Sequence, residues 1–279
     1  MDREEQRRAS LQIWEAAASG WERRREAIEE ITTPVMEWML RELAPRPGDT
    51  VLELAAGPGG TGFAAAALIG ESGRVISTDF SLAMVEVARR RAAELGLTNV
   101  EHRAMDAENI DLADDSIDGV LCRFGYMLMP DSAAALSETR RVLRPAGRLA
   151  LAVWSLPERN PWLSIAGRMF VERGYLPPPE PGAPSVFEMA NEEHTRGLLR
   201  DAGFTDVRIE EVPLRFRYRD VDEYAAFATD TGGGFATVWR ETSEEEHQAI
   251  KAQLAESFAP FAVDGGYELP GVALAAVAS

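Results

Sequence analysis

The sequence predicts an α/β domain whose mostly parallel sheet is covered by helices on both faces. Between Thr50 and Trp154, short apolar, β-rich runs alternate with stretches of helical periodicity, the pattern of successive βαβ units. The first run leads into a glycine loop, "VLELAAGPGGTG", of the kind that joins a strand to a helix N-terminus. The 279 residues are enough for one sizeable core with additions.

The strands are expected at "TVLEL", "RVISTD", "NVEHRAMD", "GVLCRFG" and "RLALAVW". Leu82, Val85, Ala88, Ala92 and Leu95 recur at helical spacing, with Ser81 placed to cap the start and Gly96 to end it. "DSAAALSETRRVLRPAG" repeats the logic, with Asp131 as cap and Pro145 and Gly147 as terminators. Residues 1–44 read as helices, Thr33 and Pro34 forming a helix start ahead of the stripe Val35, Met36, Met39, Leu40 and Leu43. Seven prolines between 157 and 190 predict an irregular excursion around the short helix "WLSIAGRMFVERG". "NEEHTRGLLRDAGF" reads as a helix, and "DVRIEEVPLRFRYRD" alternates apolar residues with arginines as a strand with one wet face does.

Composition removes several functions. A net charge of -17 with no basic stripe disfavours nucleic acid and anionic membranes as partners. Cys122 is the single cysteine, so no intramolecular disulfide forms, and no Cys/His cluster has zinc spacing, so no metal is expected. With no apolar signal core and no long apolar run, a soluble, cytoplasmic protein is expected. Lys251 is the single lysine and lies in an amphipathic helical context, which leaves none for a P-loop, a Schiff base or a Tyr-x-x-x-Lys reductase pair.

Gly57, Gly59 and Gly62 satisfy G-x-G-x-x-G, and Asp79 lies 20 residues beyond Gly59 at the end of the next strand. Such a loop presents backbone N–H groups to an anion, which is either the pyrophosphate of a dinucleotide or a carboxylate. Glu53, at the mouth of the first strand, would crowd a pyrophosphate but suits a cationic sulfonium, which favours S-adenosylmethionine over NAD(P).

Here the chain resembles the class I S-adenosylmethionine-dependent methyltransferases, especially the quinone-biosynthesis C-methyltransferase branch. The resemblance runs through "VLELAAGPGG", "VISTDFSLAMVEVARRRA", "VEHRAMDAENIDLADDSIDGV", "LCRFGYMLMPD" and "RRVLRPAGRLALAVW". It implies a Rossmann-like seven-stranded sheet, with N-terminal helices and a helical insertion serving as lid. Its last, antiparallel strand would be "GVALAAVAS". It divides the chain into an N-terminal lid segment (1–44), a cofactor-binding core (45–156), a Pro-rich insertion (157–190) and a C-terminal part completing the sheet and acceptor site (191–279).

The resemblance also implies the cofactor site. The loop from Glu53 through Ala55 and Gly57 to Gly59 would cradle the methionine part, and Asp79 would accept from the ribose hydroxyls. Phe80 would pack on the adenine, with Met84 beside it, and Asp106 with the Ala107 backbone would take the adenine amino group. Cys122, Arg123 and Phe124 would line the methyl end, and Trp21 would belong to the lid. Ala55 stands where a glycine is usual, and Ile117 where a phenylalanine is.

Methyl transfer from a sulfonium is an in-line displacement with a neutral leaving group, so positioning and desolvation matter most and a dedicated base is optional. Tyr126 and His194 are the candidates if an acceptor proton must be removed. His102 and His247 read as surface positions and Cys122 as a core filler. Trp14 and Trp21, seven residues apart, either dock the N-terminal helix or close it over the cofactor. Met127, Met129, Trp154, Trp162, Met169, Phe170, Phe235 and Trp239 would wall the pocket of a small hydrophobic or aromatic acceptor. The alternatives are an NAD(P)-dependent oxidoreductase and a non-catalytic S-adenosylmethionine-binding protein. No Asn/Asp-Pro-Pro-Tyr/Phe motif points to nucleic-acid methylation.

Overall fold

A computed structural model describes residues 3–178 and 185–279. The chain begins with one long helix, α1 (Arg3–Leu43), followed by β1 (Thr50–Glu53), α2 (Gly60–Ile69), β2 (Arg74–Asp79), α3 (Leu82–Glu94), β3 (Val100–Ala104) and β4 (Ile117–Arg123). It continues through α4 (Ser132–Val142), β5 (Leu143–Trp154), α5 (Pro161–Glu172), α6 (Glu192–Asp201) and β6 (Arg208–Tyr218). The C-terminal part holds α7 (Val221–Thr231), α8 (Gly233–Glu241), α9 (Glu244–Phe258), the two-residue β7 (Ala262–Val263) and β8 (Gly266–Ala278). Residues 179–184 of the expected Pro-rich excursion lie outside the described residues.

The sheet runs β3-β2-β1-β4-β5-β8-β6 and is Rossmann-like, parallel from β3 to β5. The C-terminal strand enters antiparallel between β5 and β6, and β7 pairs with its start. Val51, Leu52, Val75, Ile76, Val120 and Leu121 are buried in neighbouring strands, as expected of a sheet covered on both faces. The edge strand β6 instead buries Val212, Leu214, Phe216 and Tyr218 on one face, while Arg215 and Arg217 on the other pair with Glu268 of β8. The helix caps read from sequence are present: Ser81 accepts from the Met84 amide at 3.2 Å and Asp131 from the Ala134 amide at 3.0 Å.

The N-terminus departs from the sequence expectation. Neither Gly20 nor Pro34 interrupts α1, which runs unbroken for 41 residues. Pro34 lacks an N–H for the preceding turn, but Thr32 and Thr33 donate to the Ile28 and Glu29 carbonyls at 2.6 and 2.7 Å. Buried Ile28, Val35, Trp38, Met39 and Leu43 hold the helix to the core. Gly20 is a crossing point, since a Cβ there would overlap the Asp230 carbonyl of α7. The strand order reverses between β1 and β4, which puts the ligand crevice of such sheets beyond their carboxyl ends.

Candidate functional site

A cavity of about 790 Å³ opens at that point. Its floor is the loop leaving β1, docked by Leu54 N–H to the Leu121 carbonyl and Ala56 N–H to the Thr78 carbonyl, each at 2.9 Å. Ala55 adopts φ 50° and Phe124, just past β4, φ 61°. Both face the cavity, and left-handed backbone at non-glycine residues is strain of the kind that gathers at functional sites. Phe124 is held there by stacking on Trp154 at 4.0 Å.

Asp79 lies in the wall beneath this loop. One carboxylate oxygen accepts the Gly57 amide at 2.9 Å and the other the Ser81 amide at 2.9 Å. Burial pushes its pKa up to about 6 against these bonds. Phe80, Met84 and Ala107 line the same end. Asp106 lines it too, accepting the Glu108 amide at 2.9 Å and standing 3.1 Å from Arg7 Nε. Trp14 and Trp21 of α1 meet edge to face with centroids 6.0 Å apart, both in the wall, and Trp21 Nε1 donates to the Thr231 carbonyl at 2.9 Å.

Several expectations are corrected. Glu53 is buried behind the loop and absent from the wall; it accepts the Gly62 amide at 2.7 Å and the Ser77 hydroxyl at 3.1 Å. Burial pushes its pKa up to about 7, and it faces Gly62 and Ser77, not the ligand side where the sequence suggested it would stand. A Cβ at Gly62 would overlap this carboxylate, so the third glycine serves strand–helix packing. Gly59 caps α2 in the left-handed region and backs onto Phe63, away from the cavity. Cys122 is also buried outside the wall, its thiol pushed up to about 12 by desolvation.

Tyr126 and His194 do not reach the cavity. Tyr126 is fully buried with its hydroxyl 2.7 Å from Thr139 Oγ1, and burial raises its pKa well above the usual phenol value, so it is a core residue. His194 sits exposed in the first turn of α6 with Nε2 3.0 Å from Glu188. Of the expected acceptor wall, Met127, Met129, Trp154, Trp162, Phe170 and Phe235 line the cavity, whereas Met169 and Trp239 do not.

Arg123, at the tip of β4, lines the cavity with its Nε donating to Thr61 Oγ1 at 2.9 Å and a second nitrogen to Thr32. Desolvation lowers its pKa, while Glu53 and Glu29 oppose the drop. Sequence reasoning missed Arg7 and Ser10 of α1 as wall residues, because their placement depends on where the helix crosses the sheet. It also missed Phe216, which stacks on Trp162 at 3.8 Å; the alternation of β6 had marked it as inward-facing.

A family model described as a methyltransferase domain matches residues 45–167. The ubiquinone/menaquinone biosynthesis C-methyltransferase UbiE of Klebsiella pneumoniae is 32% identical over 178 residues, covering 58% of this chain and 68% of that protein. The demethylmenaquinone methyltransferase of Beutenbergia cavernae is 40% identical over 128 residues, 46% of this chain and 50% of that one. Among solved structures, a SAM-dependent methyltransferase from Aquifex aeolicus is 26% identical with a TM-score of 0.50, covering 63% of this chain and 83% of its own.

Proposed function

The chain belongs to the S-adenosylmethionine-dependent methyltransferase family that includes the ubiquinone/menaquinone C-methyltransferases, and we propose that it methylates a small, flat, hydrophobic or aromatic molecule. One observation carries this reading: a single cavity has two carboxylates, Asp79 and Asp106, at one end and the aromatic walls of Trp154, Trp162 and Phe216 at the other.

The residues present fit the cofactor. Each oxygen of Asp79 accepts one backbone N–H and keeps a lone pair for a ribose hydroxyl. Asp106 presents an acceptor at the expected adenine edge, in exchange for or beside Arg7. A Cβ on Gly57 would stand 4.0 Å from the Trp21 ring, which leaves a gap between loop and helix at the loop's first glycine. Arg123 keeps guanidinium donors for the methionine carboxylate.

Bound S-adenosylmethionine supplies an electrophilic methyl on a sulfonium. The chain's work is then positional. Phe124 and Trp154, stacked between the two ends of the cavity, exclude water and hold the acceptor plane on the methyl axis. Among the described residues no histidine lines the cavity, which supports catalysis by orientation and desolvation over general-base chemistry.

Titration with S-adenosylhomocysteine and with NAD tests the reading. Binding of the first and not the second, with methyl transfer to some member of a panel of phenols, naphthols and quinols, is expected. NAD binding in its place would return the oxidoreductase alternative, and cofactor binding without transfer the non-catalytic one.

A further inference from the structure

The helix α5 runs along the aromatic end of the cavity, and one of its faces carries no aromatic residue. Gly167 and Arg168 lie three and four residues after Ser164, and Val171 four and three after them, which sets the four on one stripe, and all line the cavity. Three features of the stripe are unexplained by folding.

Ser164 is 5% exposed and lines the cavity, and its hydroxyl makes no hydrogen bond among the described residues. A hydroxyl facing a largely apolar wall is left for water or a ligand group to complete. Of the hydroxyls that line the cavity near it, Tyr224 donates to the Trp162 carbonyl at 2.9 Å and Thr231 to the Phe227 carbonyl at 3.0 Å.

Gly167 lies in the interior of the helix, where glycine is destabilising relative to alanine. A Cβ there would meet nothing within 4 Å, so no neighbour requires the glycine. What its absence of a side chain preserves is open space beside the aromatic walls.

Arg168, one turn beyond Ser164, is exposed at the cavity's margin and pairs with no carboxylate among the described residues. Glu172, one turn further on, lines the cavity without an ion pair to Arg168. A guanidinium without an ion pair at the margin of a largely apolar chamber is available to an anionic group.

We propose that the Ser164–Gly167–Arg168 stripe of α5 reads the methyl acceptor: Ser164 hydrogen-bonds a ring oxygen, Gly167 leaves the slot for the ring plane, and Arg168 pairs with an anionic substituent. The acceptor class is therefore a fused or single-ring aromatic carrying both a hydroxyl and a carboxylate. The proposal rests on the methyltransferase reading and names the acceptor that reading leaves open.

The test uses the full chain saturated with S-adenosylhomocysteine and three calorimetric probes: 3-hydroxy-2-naphthoate, 2-naphthol and 2-naphthoate. In the wild type the hydroxy acid binds most tightly. Arg168→Gln should weaken both carboxylates about fivefold and leave 2-naphthol unchanged. Ser164→Ala should weaken the two hydroxyl-bearing probes about fivefold and spare 2-naphthoate. Gly167→Ala should raise the unfolding midpoint yet weaken all three.

S-adenosylhomocysteine affinity must stay the same in all three variants. The proposal is overturned if none of the probes binds the loaded wild type, if Arg168→Gln affects the three alike or not at all, or if Gly167→Ala leaves them unchanged. Failure of S-adenosylhomocysteine to bind the wild type would remove the methyltransferase reading and this one with it, which separates the two failures.

Discussion

Arg7 Nε of α1 stands 3.1 Å from an Asp106 carboxylate oxygen, so the first turns of the chain are tied to the acid proposed to hold the adenine. Arg7 also pairs with Glu108, and Glu15 accepts from the Ser81 hydroxyl at 2.9 Å and the Ala83 amide at 3.2 Å. The helix thereby lies across the Asp79–Asp106 end of the cavity, where the cofactor is proposed to bind. Partly exposed pairs of this kind each contribute only about 0–1 kcal/mol, so they can yield without unfolding the core. Arg7→Ala is expected to speed S-adenosylhomocysteine release severalfold, read by stopped-flow fluorescence of Trp14 and Trp21, with little change in melting temperature. An unchanged release rate would show that the helix does not gate the site.

Asp79, proposed to hold the ribose, is expected to link cofactor affinity to pH. Burial raises its pKa to about 6 in the free protein, whereas ribose hydroxyls donate to the ionised form. Binding then requires proton loss below that value. Affinity for S-adenosylhomocysteine should be flat above pH ~7 and fall below pH ~6 by up to about tenfold per pH unit. Asp79→Asn should bind more weakly at pH 8 and lose the dependence. A wild-type curve that stays flat from pH 5 to 8 contradicts this role.

Glu53 links stability to pH. Its folded-state pKa of about 7 lies above the ordinary 4.5, so the stability it contributes is fully present below about pH 4.5 and lost as pH rises through about 7. Across that window the change is on the order of 3 kcal/mol. Glu53→Gln keeps an oxygen for the Gly62 amide and removes the titration. Urea unfolding at pH 5 and pH 8 should therefore differ less in the variant than in the wild type; equal differences refute the assignment.

Tyr126→Phe and His194→Ala should transfer methyl groups at wild-type rates, within about twofold. Tyr126→Phe removes the hydroxyl bonded to Thr139 Oγ1, which keeps its bond to the Ala135 carbonyl, and is expected to lose about 1 kcal/mol of stability in the same urea assay. A tenfold fall in kcat for either would restore that residue to the mechanism.

The parallel core was legible because its signals are local. Five apolar runs, the caps Ser81 and Asp131 and the loop glycines each predict structure from a few neighbouring residues, and the strands form where they were expected. The alternation in "LRFRYR" likewise survived as the half-wet strand β6. What the sequence could not convey is which side of a residue meets which neighbour. Glu53 sits at the right place in the chain yet faces backward to Gly62, and Tyr126 is one residue from Met127 in the wall but points into α4. Pro34 misled for the opposite reason. A local breaker signal lost to tertiary packing of the turns on either side.

The unbroken length of α1 has a kinetic consequence. At 41 residues it reaches about 60 Å, and besides its hold near the nucleoside it grips α7 through Trp21 and Thr231, Arg24 and Asp230 at 2.7 Å, and the Gly20 crossing. α7 in turn supplies Phe227 and Ala228 to the acceptor chamber. A rigid rod that touches both compartments cannot swing clear of one while leaving the other shut. Opening at the two ends is therefore expected to be coupled, so that a substitution loosening α1 from α7 alters the release of both ligands together.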